Sequence, residues 1–505
     1  MKKILVMLIV LVCMMVCAPA ANAAEAVEIS GKEIVTGNSG IGSVNPLFDG
    51  RTMESINIRN DGTITLSHQD GIGSLYLVFG LEYGTYTVTD KAAGDVRTFG
   101  ENGFLHQFLD LEAAFGHAPE AVTLTFDSGD AKLAEVYAFT AGEVPGWVQK
   151  WEMPLEGGAD LVLFSTHGDD EQLFFTGMLP YYAGEMKYGV QVVYMTGHRN
   201  MSVRRSHEML DGLWAVGVRN YPVFGPFGDY NSTSKAAAYQ IYRNKNISRE
   251  DILSFVVENV RRFRPKVAVG HDLDGEYGHG MHMIYAELLC EAAEIAMDRE
   301  QFPESAEKYG VWDIPKTYLH LYPENQIRMN WDVPLASFDG MTAYEVTKEL
   351  GFPCHVSQQS YYSYYFSGKQ LASEITVNSP CEFGLYRSTV GEDVQKQDFF
   401  ENLTTYAQDA QAELRLQEEI ARAEAEKATE PAAETYPAEE TEPATEETQA
   451  PAEEIKQMPE PAEEAGKMIS FSAVSAIIAV FLAIFGTFGM LKVLKKEKQK
   501  FLKKF

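Results

Sequence analysis

The sequence predicts an α/β protein in three parts: a β-sandwich of jelly-roll type, then a doubly wound parallel sheet, then a C-terminal transmembrane helix. Three observations lead there. Residues 26–145 carry stretches that alternate apolar and polar side chains, broken by Gly, Asp and Asn, as half-buried antiparallel strands do. From Leu161 onward the short apolar runs are continuous and alternate with helical patterns, which fits strands buried on both faces of a parallel sheet. Met468 to Leu491 is uncharged and predominantly apolar, long enough to cross a hydrocarbon layer of ~30 Å.

The 505 residues, 45% of them hydrophobic, suffice for two or more globular domains. A net charge of −30 argues against nucleic acid as a partner, because neutralising phosphate needs a basic face. Met1-Lys-Lys, an uncharged run from Ile4 to Cys17 and a small-residue stretch ending at Ala23 read as a secretory signal peptide over 1–23. Of the cysteines beyond it, Cys290 sits on an apolar helix face and reads as a core residue. Cys354 and Cys381 are candidates for a disulfide.

Taken in order, the sandwich region spans 26–145, with strands in Thr63–Ser67, Ser74–Phe79, Thr85–Thr89, Val122–Phe126 and Glu135–Phe139. After the Val144-Pro-Gly-Trp connection comes a second domain, 158–405. Its strands are expected at Leu161–Thr166, Val190–Met195, Tyr221–Phe224 and Val267–Gly270, with helices at Gln172–Tyr182, Val203–Val216 and Ile252–Phe263. In the doubly wound order 3-2-1-4 the first and fourth strands flank the switch point, where ligands of open α/β sheets bind. His198 and His207 lack ligand spacing and read as surface residues, while the tyrosines of 361–365 read as core or as a sugar-stacking wall. The region 406–466 is a helix followed by a Glu-, Ala-, Pro- and Thr-rich linker, too polar to bury a core. Beyond the apolar span 468–491 the tail 492–505 is rich in lysine, which places it in the cytoplasm and both folded domains outside. This layout resembles a Gram-positive wall-sorting tail without its L-P-x-T-G motif.

Two motifs fall at strand ends. The first strand runs into His167-Gly-Asp169-Asp170-Glu171, and the fourth into a glycine-rich loop that ends at Tyr277-Gly-His279-Gly-Met-His282. Crowded carboxylates repel one another, so a cation is their natural occupant; alternatively they are an acidic helix start. His167 and Asp170 can turn to one point, and His279 and His282 share a helix face. Together they supply His, Asp and His ligands with room for water, the set of an open catalytic zinc site.

These residues resemble the PIG-L (LmbE-like) family of zinc-dependent N-acetylglucosamine deacetylases. The family motifs H-P-D-D-E and D-x-x-G-x-Y-G-H-P-D-H stand against H-G-D-D-E and D-L-D-G-E-Y-G-H-G-M-H here. The resemblance covers 158–405 and implies a Rossmann-like sheet, with His167, Asp170 and His282 holding Zn2+ (or another divalent metal such as Fe2+). It further implies Asp169 as general base and His279 as donor to the tetrahedral intermediate or to the leaving group. Arg205, Asp229 and Tyr277 are then substrate-binding, with intrahelical pairing to Glu208 and a turn as the structural alternatives for the first two. Two departures from the pattern suggest weakened catalysis: Gly168 in place of proline loosens the loop before Asp169, and Met281 removes a carboxylate from behind the metal. The pieces Leu47-Phe-Asp49-Gly50, Val122–Phe126 and Glu135–Phe139 resemble galactose-binding-like domains, implying a carbohydrate ligand or a spacer role. The implied activity is extracellular, membrane-anchored deacetylation of an N-acetylglucosamine-containing glycan, glycolipid or glycoside. Its alternatives are a non-catalytic surface carbohydrate-binding protein and a zinc hydrolase of another amide or ester.

Overall fold

The computed structural model describes residues 24–197 and 203–429. The signal peptide read at 1–23, His198, most of the acidic linker, the apolar span and the basic tail lie outside the described residues. Among the described residues no helix is long and apolar enough to cross a membrane.

The sandwich comprises β1 (Val35–Ser39), β2 (Ile56–Ile58), β3 (Gly62–Ser67), β4 (Ser74–Phe79), β5 (Tyr86–Asp90), β6 (Val96–Phe99), β7 (His106–Asp110), β8 (Ala121–Phe126) and β9 (Ala131–Phe139). A five-stranded sheet, β1-β3-β8-β5-β6, faces a four-stranded one, β2-β9-β4-β7. Side chains alternate along each strand, so Ile64, Leu66, Val122 and Leu124 of one sheet meet Leu75, Leu77, Leu133 and Val136 of the other in one core.

The second sheet is built from β10 (Leu161–Ser165), β11 (Val190–Thr196), β12 (Val223–Phe227), β13 (Val267–Gly270), β14 (Lys316–His320), β15 (Gln326–Arg328) and β16 (Glu382–Ser388). Its order is β12-β11-β10-β13-β14-β16-β15, parallel through β14 and antiparallel at β16 and β15. The expected 3-2-1-4 order is therefore present, and β10 and β13 lie side by side at the switch point. Period two divides the strands between two cores: Leu161 and Leu163 face one, Val162 and Phe164 the other. Helices α1 (Val203–Ala215), α2 (Lys235–Arg243), α3 (Arg249–Phe263) and α4 (Gly280–Ile295) cover the sheet. A capping box between Ser248 and Asp251 starts α3, and the left-handed Arg264 before Pro265 stops it.

The helix expected over Gln172–Tyr182 is not continuous. A single turn, Asp170–Leu173, gives way to a loop and then a wide turn at Pro180–Glu185. Gly177 causes the break: its φ is +84°, and a Cβ there would lie 2.6 Å from the Trp331 ring. Nor is the segment amphipathic, since Glu171 to Pro180 is buried throughout.

The sandwich belongs to the same compact unit as the α/β part, a unit that runs to Asp409. Phe104 stacks on Tyr221 with ring centroids 3.9 Å apart, and the Leu105 N–H donates to the Tyr221 hydroxyl at 3.1 Å. Leu210 of α1 and Tyr221 join the sandwich core, so the region is not a detached spacer. His207, read as a surface residue, is buried in this junction. Cys290, Cys354 and Cys381 are free thiols, all buried, so no Cys354–Cys381 disulfide forms.

Candidate metal centre

The loop after β10 turns back on itself. The His167 backbone N–H donates to Asp170 Oδ2 at 2.7 Å, which draws the carboxylate under the imidazole. His167 Nδ1 lies 3.1 Å from that oxygen and 3.0 Å from Nε2 of His282 on α4, while His282 Nε2 is 3.3 Å from the same oxygen. Three donor atoms from the two strand ends thus form a triangle with edges near those of a tetrahedron around zinc, roughly 3.3–3.5 Å for bonds of ~2.0–2.1 Å. Charge tells the same story. Burial opposes a charged imidazole, yet Asp170 lifts His167 to about 10, and Asp170 with Glu276 lifts His282 to about 9. The cluster demands positive charge, and its donor set fits a divalent cation.

Glu276, which sequence reasoning did not single out, orients the site from behind. Its fully buried carboxylate accepts from Nδ1 of His282 at 2.7 Å, of His271 at 2.9 Å and of His320 at 2.7 Å. Against burial, His271 and His282 hold its carboxyl well below the usual range. Donation from Nδ1 leaves the His282 Nε2 lone pair free for a metal. His271 is spent otherwise, because its Nε2 accepts the Thr166 N–H at 3.0 Å. Glu276 can reach inward because the loop takes left-handed conformations at Gly275 (φ 70°), Tyr277 (φ 47°) and Gly278 (φ 75°). At the non-glycine Tyr277 this costs energy.

Seven of the eight residues singled out from sequence, His167, Asp169, Asp170, Arg205, Asp229, Tyr277 and His279, line one cleft of about 320 Å³. The eighth, His282, lies fully buried at its floor. Burial, with Asp170 adding to it, pushes the Asp169 carboxyl up to about 6 although Arg205 pulls the other way. The His279 imidazole is pushed down to about 3 by burial and by His167 and His282, so it is neutral. Its Nδ1 accepts the Met281 N–H, which leaves Nε2 as the protonated nitrogen. Asp229 Oδ1 stands 3.2 Å from His167 Nε2, so it touches a proposed ligand rather than only closing a turn. Arg205 is heavily engaged: Nη1 donates to Glu208 and Ser357, Nη2 to the Gly168 carbonyl and to Asp169 at 3.1 Å. Its first effect is to hold Asp169.

The surroundings of both departures from the motif are clear in the fold. Gly168 packs closely against α1: a Cβ there would lie 2.1 Å from Met209 Sδ, and Arg205 grips its carbonyl. Methionine on α1 fills the space that a side chain at 168 would need. Met281 is fully buried and belongs to the apolar core that also holds Ile284 and Leu288. The carboxylate behind the site is Glu276. His355 faces the buried Glu171 at 2.8 Å.

Fold and site together define a doubly wound α/β protein with a buried His/Asp cluster at its switch point that could hold a metal ion. Its α/β part is related to the PIG-L (LmbE-like) N-acetylglucosamine deacetylase family. No family model matches the chain. It is similar to a 1D-myo-inositol 2-acetamido-2-deoxy-alpha-D-glucopyranoside deacetylase of Catenulispora acidiphila, 26% identical over 38% of this chain and 65% of that protein. The match thus spans just under two thirds of that relative. Among solved structures, an N,N'-diacetylchitobiose deacetylase from Pyrococcus horikoshii aligns at 13% identity over 46% of this chain and 85% of its own, with TM-score 0.28. An F5/8 type C domain from Bacteroides fragilis aligns at 9% identity over 24% of this chain and 98% of its own, with TM-score 0.19.

Proposed function

We propose that the protein is a metal-dependent hydrolase that removes the acetyl group from an N-acetylglucosamine residue of a glycan, glycolipid or glycoside. We place it outside the cell, on a membrane anchor formed by residues 468–491. The observation that carries this reading is the convergence of His167 Nδ1, Asp170 Oδ2 and His282 Nε2 within 3.0–3.3 Å of one another beneath a cleft that also holds Asp169 and His279. When bound, the cation supplies Lewis acidity to the acetamide carbonyl and to a water. The chain's own residues do the rest. Asp169, ionised and held by Arg205, accepts the proton of the attacking water and returns it to the departing amine. His279, neutral with its proton on Nε2, donates to the oxygen on which charge develops. Glu276 keeps His282 in the tautomer that leaves Nε2 open. The products are acetate and a free amino sugar.

The test is acetate release by the zinc-loaded full-length protein from N-acetylglucosamine compounds, with metal content measured on the same sample. Tightly bound metal without acetate release from any acetylated sugar would leave a surface carbohydrate-binding protein as the better reading.

A further inference from the structure

Among the described residues, the tyrosine, phenylalanine and tryptophan side chains that stand well out into solvent are three: Tyr277 at 54%, Tyr361 at 40% and Tyr364 at 65% exposure. Two of them belong to the cleft, and the third, Tyr364, stands beside it. Tyr277 and Tyr361 line it, together with Tyr365. Tyr364 sits edge-on to Tyr365 with ring centroids 4.9 Å apart. Tyr365 in turn packs against Phe174, another lining residue, at 5.4 Å. An aromatic tier therefore climbs from the buried side of the cleft to the open surface. Elsewhere in the described chain the large aromatic rings are buried or partly buried, so exposure to this degree is a local feature. Tyr277 is also held in a left-handed conformation, and such strain gathers where a side chain must be presented to a ligand.

The cleft, about 320 Å³, lies at the small end of the ~300–1,000 Å³ typical of ligand sites. It has room for a single reacting sugar. Whatever is attached to that sugar lies outside the cleft, and Tyr361 and Tyr364 are the exposed rings at and beside its lining.

We infer that the substrate is an oligosaccharide or polysaccharide chain, and that Tyr361 and Tyr364 form a binding wall for the sugars next to the one being deacetylated. This rests on the deacetylase reading above. The chemistry favours sugars over a lipid tail. A tyrosine ring covers the C–H face of a pyranose while its hydroxyl meets the sugar's own hydroxyls or water. The amides of Gln358 and Asn231 line the same cleft. A lipid would call for a smooth aliphatic surface, and the tier consists of rings with polar tips. A chain with one amino sugar already freed would gain further, since an ammonium group is attracted to an aromatic face.

The experiment uses the full-length protein in detergent micelles, loaded with zinc. Acetate release is measured on N-acetylglucosamine and its β-1,4-linked oligomers of two to five units, and on an n-octyl N-acetylglucosaminide. Binding of the trimer is measured separately by calorimetry. The wall predicts that kcat/KM rises at least about tenfold from monomer to trimer, and that the octyl compound does not share the rise. Tyr364→Ala should abolish most of the rise and weaken trimer binding at least about fivefold, while Tyr364→Trp retains both; a merely structural role would not be rescued by a larger ring. Acetate release with kcat/KM flat from one to five sugars, or an equal rise with the octyl chain, overturns the wall and leaves the deacetylase reading standing. Trimer binding that depends on Tyr364 without any acetate release supports the wall and sinks the deacetylase reading instead.

Discussion

His106 Nε2, on strand β7 of the sandwich, lies 2.8 Å from His207 Nδ1, on helix α1 of the α/β part. Both rings are 2% exposed, and the Tyr76 hydroxyl meets the other nitrogen of His106 at 2.6 Å. Helix α1 also carries Arg205, which holds Asp169, and Met209, which fills the space at Gly168. A contact in one layer thereby reaches the candidate catalytic loop in another.

This pair should make the protein acid-sensitive. Burial pushes His207 down to about 4 from its ordinary 6.5 and His106 well below its own. In the unfolded chain both take up protons near 6.5, before the folded protein does, so stability is full above pH 6.5 and falls as pH drops toward about 4. For His207 alone the loss is roughly 3 kcal/mol by pH 4, about 2 kcal/mol of it by pH 5. Thermal unfolding at pH 7.5 and pH 5 measures it in wild type and in a His106→Phe, His207→Phe double variant, which should lose less on acidification. An equal loss in both proteins would remove the pair as the cause.

Glu276→Gln should cut metal affinity by about 10- to 100-fold, because a neutral amide supports the three histidine donors less well and no longer offsets the cation. Competition with a graded chelator reads this directly. Unchanged affinity would show that the carboxylate plays no part in orienting His282.

Gly168→Ala should destabilise by about 1–3 kcal/mol through overpacking against Met209, and proline brings the same Cβ. Denaturant midpoints of the two single variants and of Gly168→Ala with Met209→Ala give the coupling. The double variant should be more stable than the two singles sum to; simple additivity would mean that the two sites do not press on each other.

Asp169→Asn should keep its metal and lose about 10²- to 10⁴-fold in turnover, since an amide accepts no proton. His167→Ala, Asp170→Ala and His282→Ala should instead lose metal. Metal analysis beside acetate release separates the two classes, and full occupancy in all three alanine variants would refute the ligand set.

Protease added to intact cells should release both folded domains and spare the lysine-rich tail, given the polar linker and the charge beyond Leu491. A catalytic domain that stays protected while the membrane is whole would reverse the proposed topology.

What the sequence by itself determined is local. Apolar runs at Leu161 and Val267, period two in the sandwich, and a histidine three residues from an aspartate are all properties of neighbouring residues, and each survives in the fold as strand, sheet face or loop. The order 3-2-1-4 followed from chain connectivity, and with it the meeting of the two motifs. The tertiary structure alone decided what lies behind and around them. Glu276 stood inside the second motif, yet only the folded loop turns it toward His320, 44 residues away, which sits at a strand end with no local mark. His106 and His207 are 101 residues apart, and no spacing rule links them. Gly168 and Met281 suggested weakness when set against a family pattern because their neighbours in space, Met209 on α1 and the apolar core under α4, belong to other parts of the chain. Burial and pairing between distant segments depend on how whole layers pack, and packing is a property of three dimensions that residue spacing does not encode.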